Sequence, residues 1–127
     1  MKKSCLAVLL SFVLCLFVSC ETSLSDKRDS DDQSQKQCCD DSENFFRTKY
    51  RVEGSYQCHY NKRLHKCFIL ISLSSSDTVI GLMDVKQNKY YGNFYLNASG
   101  IQSCNVLGKK CESEAEWNNL VKPYLLE

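Results

Sequence analysis

The chain of 127 residues has two histidines, one tryptophan, one proline and five glycines, and that scarcity limits its chemistry. His59 and His65 are the only imidazoles, and neither sits in a recognisable nucleophile arrangement. There is no Gly-x-Ser-x-Gly elbow, no His-Glu-x-x-His, no phosphate-binding glycine loop and no Cys-x-x-Cys. Asp77, Asp84 and the acids among residues 112–116 could meet in space, but nothing in their spacing requires it. No catalytic residue, metal or cofactor is assigned on these grounds, and the chain is expected to bind rather than to catalyse. Long apolar runs are also missing. The longest, over residues 6–18, falls short of the roughly 18 or more needed to cross a bilayer.

Cysteine, by contrast, is plentiful, with nine in the chain. Lys2 and Lys3 form a positive n-region, residues 6–18 form an apolar h-region, and polar Glu21, Thr22 and Ser23 follow, which is the layout of an export signal. Leu16-Phe17-Val18-Ser19-Cys20 resembles the lipobox of bacterial lipoproteins, with Ser19 before the cysteine, Val18 before that, and Phe17 where Leu, Val or Ile is usual. The resemblance covers the leader alone. It implies a diacylglyceryl group on the Cys20 sulfur, cleavage of the bond before it, and acylation of the new amino terminus by a fatty acid such as palmitate. Cys20 would then be a lipid anchor, firm because several chains hold where one binds only reversibly. The membrane is the first expected partner, and the expected location is the bacterial cell envelope, facing the periplasm or the cell surface. The alternative is an ordinary secretory signal cut just after Cys20, which releases a soluble protein.

With Cys5, Cys15 and Cys20 in the leader and at its cut, six cysteines remain: Cys38, Cys39, Cys58, Cys67, Cys104 and Cys111. An even number in a small exported domain reads as a disulfide scaffold, because such a domain buries too little surface to be comfortably stable alone. Charge divides the mature chain. Residues 21–43 hold eight acids against three bases and almost nothing apolar, so residues 20–37 are expected to form an acidic, disordered tether. Residues 44–127 hold eleven bases against seven acids. A head of that sign could favour an anionic envelope component or a protein partner, with Lys62, Arg63 and Lys66 as a possible basic patch; nucleic acid is not expected.

Residues 55–73 read as a hairpin, two aromatic and aliphatic runs around a charged break. A turn centred between Lys62 and Arg63 places Cys58 opposite Cys67, at the separation a disulfide needs, although Lys-Arg suits a tight turn poorly and a longer loop is expected. Alternation puts Tyr56, Cys58 and Tyr60 on one face with His65, Cys67, Ile69, Ile71 and Leu73, taken as the core. Cys58, His59, His65 and Cys67 are also the ligand types of a zinc site. His59 points away from the other three in this register, so the disulfide is preferred.

Residues 78–85 and 89–96 form a second strand pair with its turn at Lys86-Gln87-Asn88. The stretch from Cys104 to Cys111 reads as a short loop. Ser113 and Glu116 form a capping box, and Trp117, Leu120, Val121 and Tyr124 recur at helical spacing, with Pro123 expected to end or distort the helix near Lys122. A weaker helix could begin near Asp40 or Asp41 and carry Phe45 and Phe46 inward. If Cys58 joins Cys67, the unstrained pairing sends Cys38 and Cys39 to Cys104 and Cys111. A rival pairing joins Cys104 to Cys111 and leaves the vicinal pair for an intermolecular or redox-active bridge. The expected fold is α+β: a disulfide-stapled antiparallel sheet of about four strands with a C-terminal helix, over residues 38–127.

Tyr56-Gln57-Cys58 followed by Ala98-Ser99-Gly100 resembles the layout of the membrane-bound inhibitors of C-type lysozyme, small lipid-anchored β proteins. The resemblance implies that Ser99 and Gly100 form a partner loop that enters the lysozyme active site. Ser103 stands where that family has an aromatic, and the C-terminal helix has no counterpart there. The main expectation is a lipid-anchored, non-enzymatic binding module of the envelope; the alternatives are this inhibitor-like role or a small envelope enzyme or redox protein.

Overall fold

The computed structural model describes residues 23–51 and 53–126, with side chains from residue 28 onward. The signal segment and Cys20 lie outside the described residues. The chain divides into Met1–Asp32 and Gln33–Glu127, and the fold below is that of the second unit.

The fold is α+β. Helix α1 (Ser23–Lys49) leads into six strands, β1 (Gly54–Asn61), β2 (Lys66–Ser74), β3 (Thr78–Asp84), β4 (Lys89–Asn97), β5 (Gly100–Val106) and β6 (Lys109–Lys110), and helix α2 (Glu114–Leu125) closes the chain. The strands form one antiparallel sheet in sequence order. The expectation of about four strands missed β5 and β6, because the stretch read as a loop between Cys104 and Cys111 is itself a hairpin. Helix α1 begins at Ser23, and Gln35 already bonds to β1, so ordered structure starts ahead of Cys38 and reaches into the segment expected to be a disordered tether.

Both faces of the sheet are buried, one under each helix. On one side Ile69, Ile71 and Met83 pack with Phe45, Phe46 and Tyr50 of α1 and its C-terminal end, together with Tyr56 and Leu73. On the other, Phe68, Leu82, Phe94 and Val106 pack with Trp117 and Val121 of α2. The unbroken apolar run of β2 accounts for this, since alternation sends Ile69 and Ile71 one way and Phe68 and Leu70 the other. The face expected to be the core is therefore one of two.

The first hairpin pairs Tyr60 with Cys67 and Cys58 with Ile69, two residues away from the expected register. Cys58 and Cys67 are thus diagonal neighbours on one face, and the expected bridge between them does not form. Diagonal positions on adjacent strands are about 7–8 Å apart, too far for direct bridging. Instead α1 lies over them and joins both, through Cys38–Cys67 and Cys39–Cys58, while Cys104–Cys111 closes the β5–β6 hairpin. The expected links from Cys38 and Cys39 to Cys104 and Cys111 are likewise absent. The rival pairing was right for the short bridge and not for the vicinal pair, whose two members both bond within the chain.

Helix α2 starts as its sequence demands: the Ser113 Oγ accepts the Glu116 N–H at 3.2 Å, and the Glu116 carboxylate accepts the N–H of Glu112 at 2.8 Å. Pro123 does not end it, and the helix continues to Leu125. In the last turn a proline removes one backbone bond with little helix left to disrupt. Buried Asn61 ties this end down, donating through Nδ2 to the Pro123 carbonyl at 2.9 Å while its Oδ1 accepts the Leu64 N–H at 2.8 Å.

Candidate functional site

In a sequential antiparallel meander, alternate turns fall at the same end. The β1–β2, β3–β4 and β5–β6 turns share one end of this sheet. The first turn contributes Lys62, Arg63 and Leu64, all exposed. Lys86 and Lys89 flank the second, and Lys109 and Lys110 follow the third. The opposite end, with its turns over residues 75–77 and 98–99, has no basic residue in either turn. The surplus of bases in the head is therefore concentrated where three turns meet.

This end is also stiff. Lys66 Nζ donates to the Asp84 carboxylate at 2.6 Å and to Gln87 Oε1 at 2.9 Å, which ties the first turn to the second. The bond to Asp84 leads in holding the Lys66 ammonium above its ordinary value of 10.5. Asp84 is almost completely buried, so Lys66 serves to neutralise it and contributes less to an outward-facing patch than Lys62 and Arg63. The Tyr91 ring lies 5.5 Å from Lys66 Nζ and 5.7 Å from Lys89 Nζ, and the Tyr91 carbonyl accepts the Leu107 N–H at 2.7 Å. A bulge in β4 makes this placement possible. Leu82 faces Gly92 and Met83 faces Tyr90, so Tyr91 is the extra residue and turns to pack edge-on with Phe68 and Tyr124.

Apolar side chains stand among the bases. Leu64 is 37% exposed, Tyr90 57% and Leu107 53%. Leu107 and Gly108 both have positive φ, 48° and 82°, as a two-residue primed turn requires. Asparagine or glycine adopts this conformation readily at the first position, whereas a larger side chain is strained there by roughly 1–2 kcal/mol. Leu107 bears that strain while its side chain projects into solvent.

Two clefts flank the end. One of about 520 Å³ lies between the last turn of α1 and the β3–β4 turn, against Phe45, Thr48, Lys49, Val85, Lys86 and Asn88. The other, about 410 Å³, is bounded by Tyr90, Asn93, Asn105, Leu107 and Gly108. Tyr50 and Tyr90 share a 2.9 Å hydroxyl bond between them, and burial followed by that bond drives the Tyr50 phenol well above its ordinary range.

The remaining expected site residues lie elsewhere. Ser99 and Gly100 form the β4–β5 turn at the opposite end, where Ser99 N–H donates to Asn97 Oδ1 at 2.8 Å and Gly100 has φ 105°. The sulfurs of Cys58 and Cys67, two of the four zinc-type ligands, are taken up by Cys39 and Cys38. Sequence reading named Lys62, Arg63 and Lys66 but missed Lys86, Lys89, Lys109 and Lys110. Their common signal was position, each pair bordering an alternate turn. No helix among the described residues is long and apolar enough to cross a membrane. Comparison with known proteins finds no family model, no curated protein and no solved structure that matches the chain.

Proposed function

We propose that the protein is a lipid-anchored, non-enzymatic binding module of the bacterial envelope whose binding surface is the basic turn end of the sheet. The carrying observation is the collection of Lys62, Arg63, Lys86, Lys89, Lys109 and Lys110 around three turns at one end, against none in the turns at the other. A one-sided field of this kind draws anionic partners and orients them. The three disulfides among the described residues are consistent with an exported protein in an oxidising compartment. The lipobox-like leader supports the anchor at Cys20.

Two measurements test the reading. Mass spectrometry of the intact native protein should show a chain beginning at acylated Cys20 and lacking six thiol hydrogens; a full-length product with free thiols would overturn the anchored, exported reading. On immobilised dextran sulfate, Lys86→Glu/Lys89→Glu/Lys109→Glu/Lys110→Glu should elute at markedly lower salt than the native chain. Equal elution would remove the turn end as the binding surface.

A further inference from the structure

We propose that the turn end docks on the surface of an anionic phospholipid bilayer, with Leu64 and Leu107 at headgroup depth and Lys86, Lys89, Lys109 and Lys110 against the lipid phosphates. This rests on the reading of that end as the binding surface and names its partner. Charge complementarity alone would suit any polyanion. The apolar side chains narrow the choice, because the first and third turns each carry a large exposed leucine, Leu64 and Leu107, beside their bases. Lysine mixed with leucine is a composition that binds at a bilayer interface, where aliphatic groups enter the acyl boundary and cations meet headgroups.

Leu107 also stands out for its backbone. It occupies a left-handed position that asparagine or glycine fills more easily, and more than half of its side chain is exposed. The Leu107 N–H bond to the Tyr91 carbonyl fixes the backbone there, so the exposed leucine side chain is presented in one place, where an apolar boundary could take it up. The three tips are also held in one rigid group by Lys66 to Gln87, Asn61 to Leu64 and Tyr91 to Leu107, so they can engage a flat surface together. The chain itself arrives at this end. The compact unit begins at Gln33, and the Gln35 side chain bonds to the Tyr60 N–H at 2.7 Å, two residues before Lys62. Cys20 precedes that point of entry by twelve intervening residues.

The test uses the full chain, reconstituted through its own N-terminus, carrying Leu64→Trp as a depth probe. Vesicles of brominated phosphatidylcholine are compared with and without about one-third phosphatidylglycerol. The tip tryptophan should be quenched several-fold more in the anionic vesicles, while the buried Trp117 reports an unchanged fold. Reversing Lys86, Lys89, Lys109 and Lys110 to Glu should abolish the difference, a loss of at least about tenfold in docking. Leu107→Asn should weaken docking several-fold while leaving thermal stability unchanged or higher, an outcome that a purely structural leucine would not give. Equal quenching in both vesicles, or indifference to Leu107, overturns the proposal. If dextran sulfate still retains the native chain but the probe stays unquenched, the binding surface stands and its partner is a soluble or proteinaceous polyanion. If neither responds, the reading of the turn end fails as well.

Discussion

Gly92 shows how much a single position can carry here. A Cβ at that site would lie 2.6 Å from the Asn105 carbonyl oxygen and 3.1 Å from Trp117, inside the α2-covered core. The missing side chain lets β5 and the Trp117 ring approach together. Gly92→Ala should therefore lower stability by about 1–3 kcal/mol, read from the denaturant midpoint. Gly81→Ala is the internal contrast. Its Cβ would meet only Tyr90, at an ordinary 3.5 Å, so relief of glycine's strand penalty should leave stability unchanged or raise it by up to about 1 kcal/mol. Of these two glycines nothing in the sequence marks one as obligatory, since both stand inside apolar strands. The distinction appears only when the β4 bulge and α2 are in place.

Among the elements, α1 depends on the sheet more than α2 does. Helix α2 has a capped start and a buried stripe of Trp117 and Val121, whereas α1 is strongly polar and fastens through Cys38, Cys39 and a short aromatic segment. Gln35 adds an edge patch, accepting from the Tyr60 N–H and donating to the Cys58 carbonyl, which covers part of the free side of β1. The chain-entropy argument ranks the bridges by the loops they close. Because Cys39–Cys58 lies inside the Cys38–Cys67 loop, removing both α1 bridges is what opens the 29-residue closure and should cost at least about 3.5 kcal/mol, against about 2.5 kcal/mol for Cys104 and Cys111, 7 apart. Paired serine variants compared by thermal unfolding check that order. The facing of Cys58 and Cys67 was legible because side-chain alternation survives a slip of two residues. Their partners were not, because the same slip leaves every face unchanged while moving opposite residues onto a diagonal. Nothing in the polar composition ahead of Cys38 announced a helix that fastens to the sheet through two cross-links and a short aromatic segment.

At the scale of the whole molecule, the shifted groups among the described residues act in one direction with pH. Lys66 is raised chiefly by its bond to Asp84, Tyr95 chiefly by its bond to Asp77, and Tyr50 chiefly by burial. Each favours its protonated form when folded. That contribution is complete below the ordinary values of 10.0 and 10.5 and is lost as pH rises through the higher folded-state values. The melting temperature should therefore fall as pH passes above about 10, and Lys66→Met should remove part of that slope. The basic turn end was only partly legible. Lysines separated by some twenty residues look dispersed along a chain, and only the alternation of turns gathers them. The vicinal bridges have a final consequence at the link between α1 and β1, where Arg51 is exposed. A trypsin-like nick after Arg51 would leave two fragments still covalently joined through Cys38–Cys67 and Cys39–Cys58. Proteolysis there cannot shed the N-terminal piece without a reductant, so a tethered head would stay on its leash after being cut.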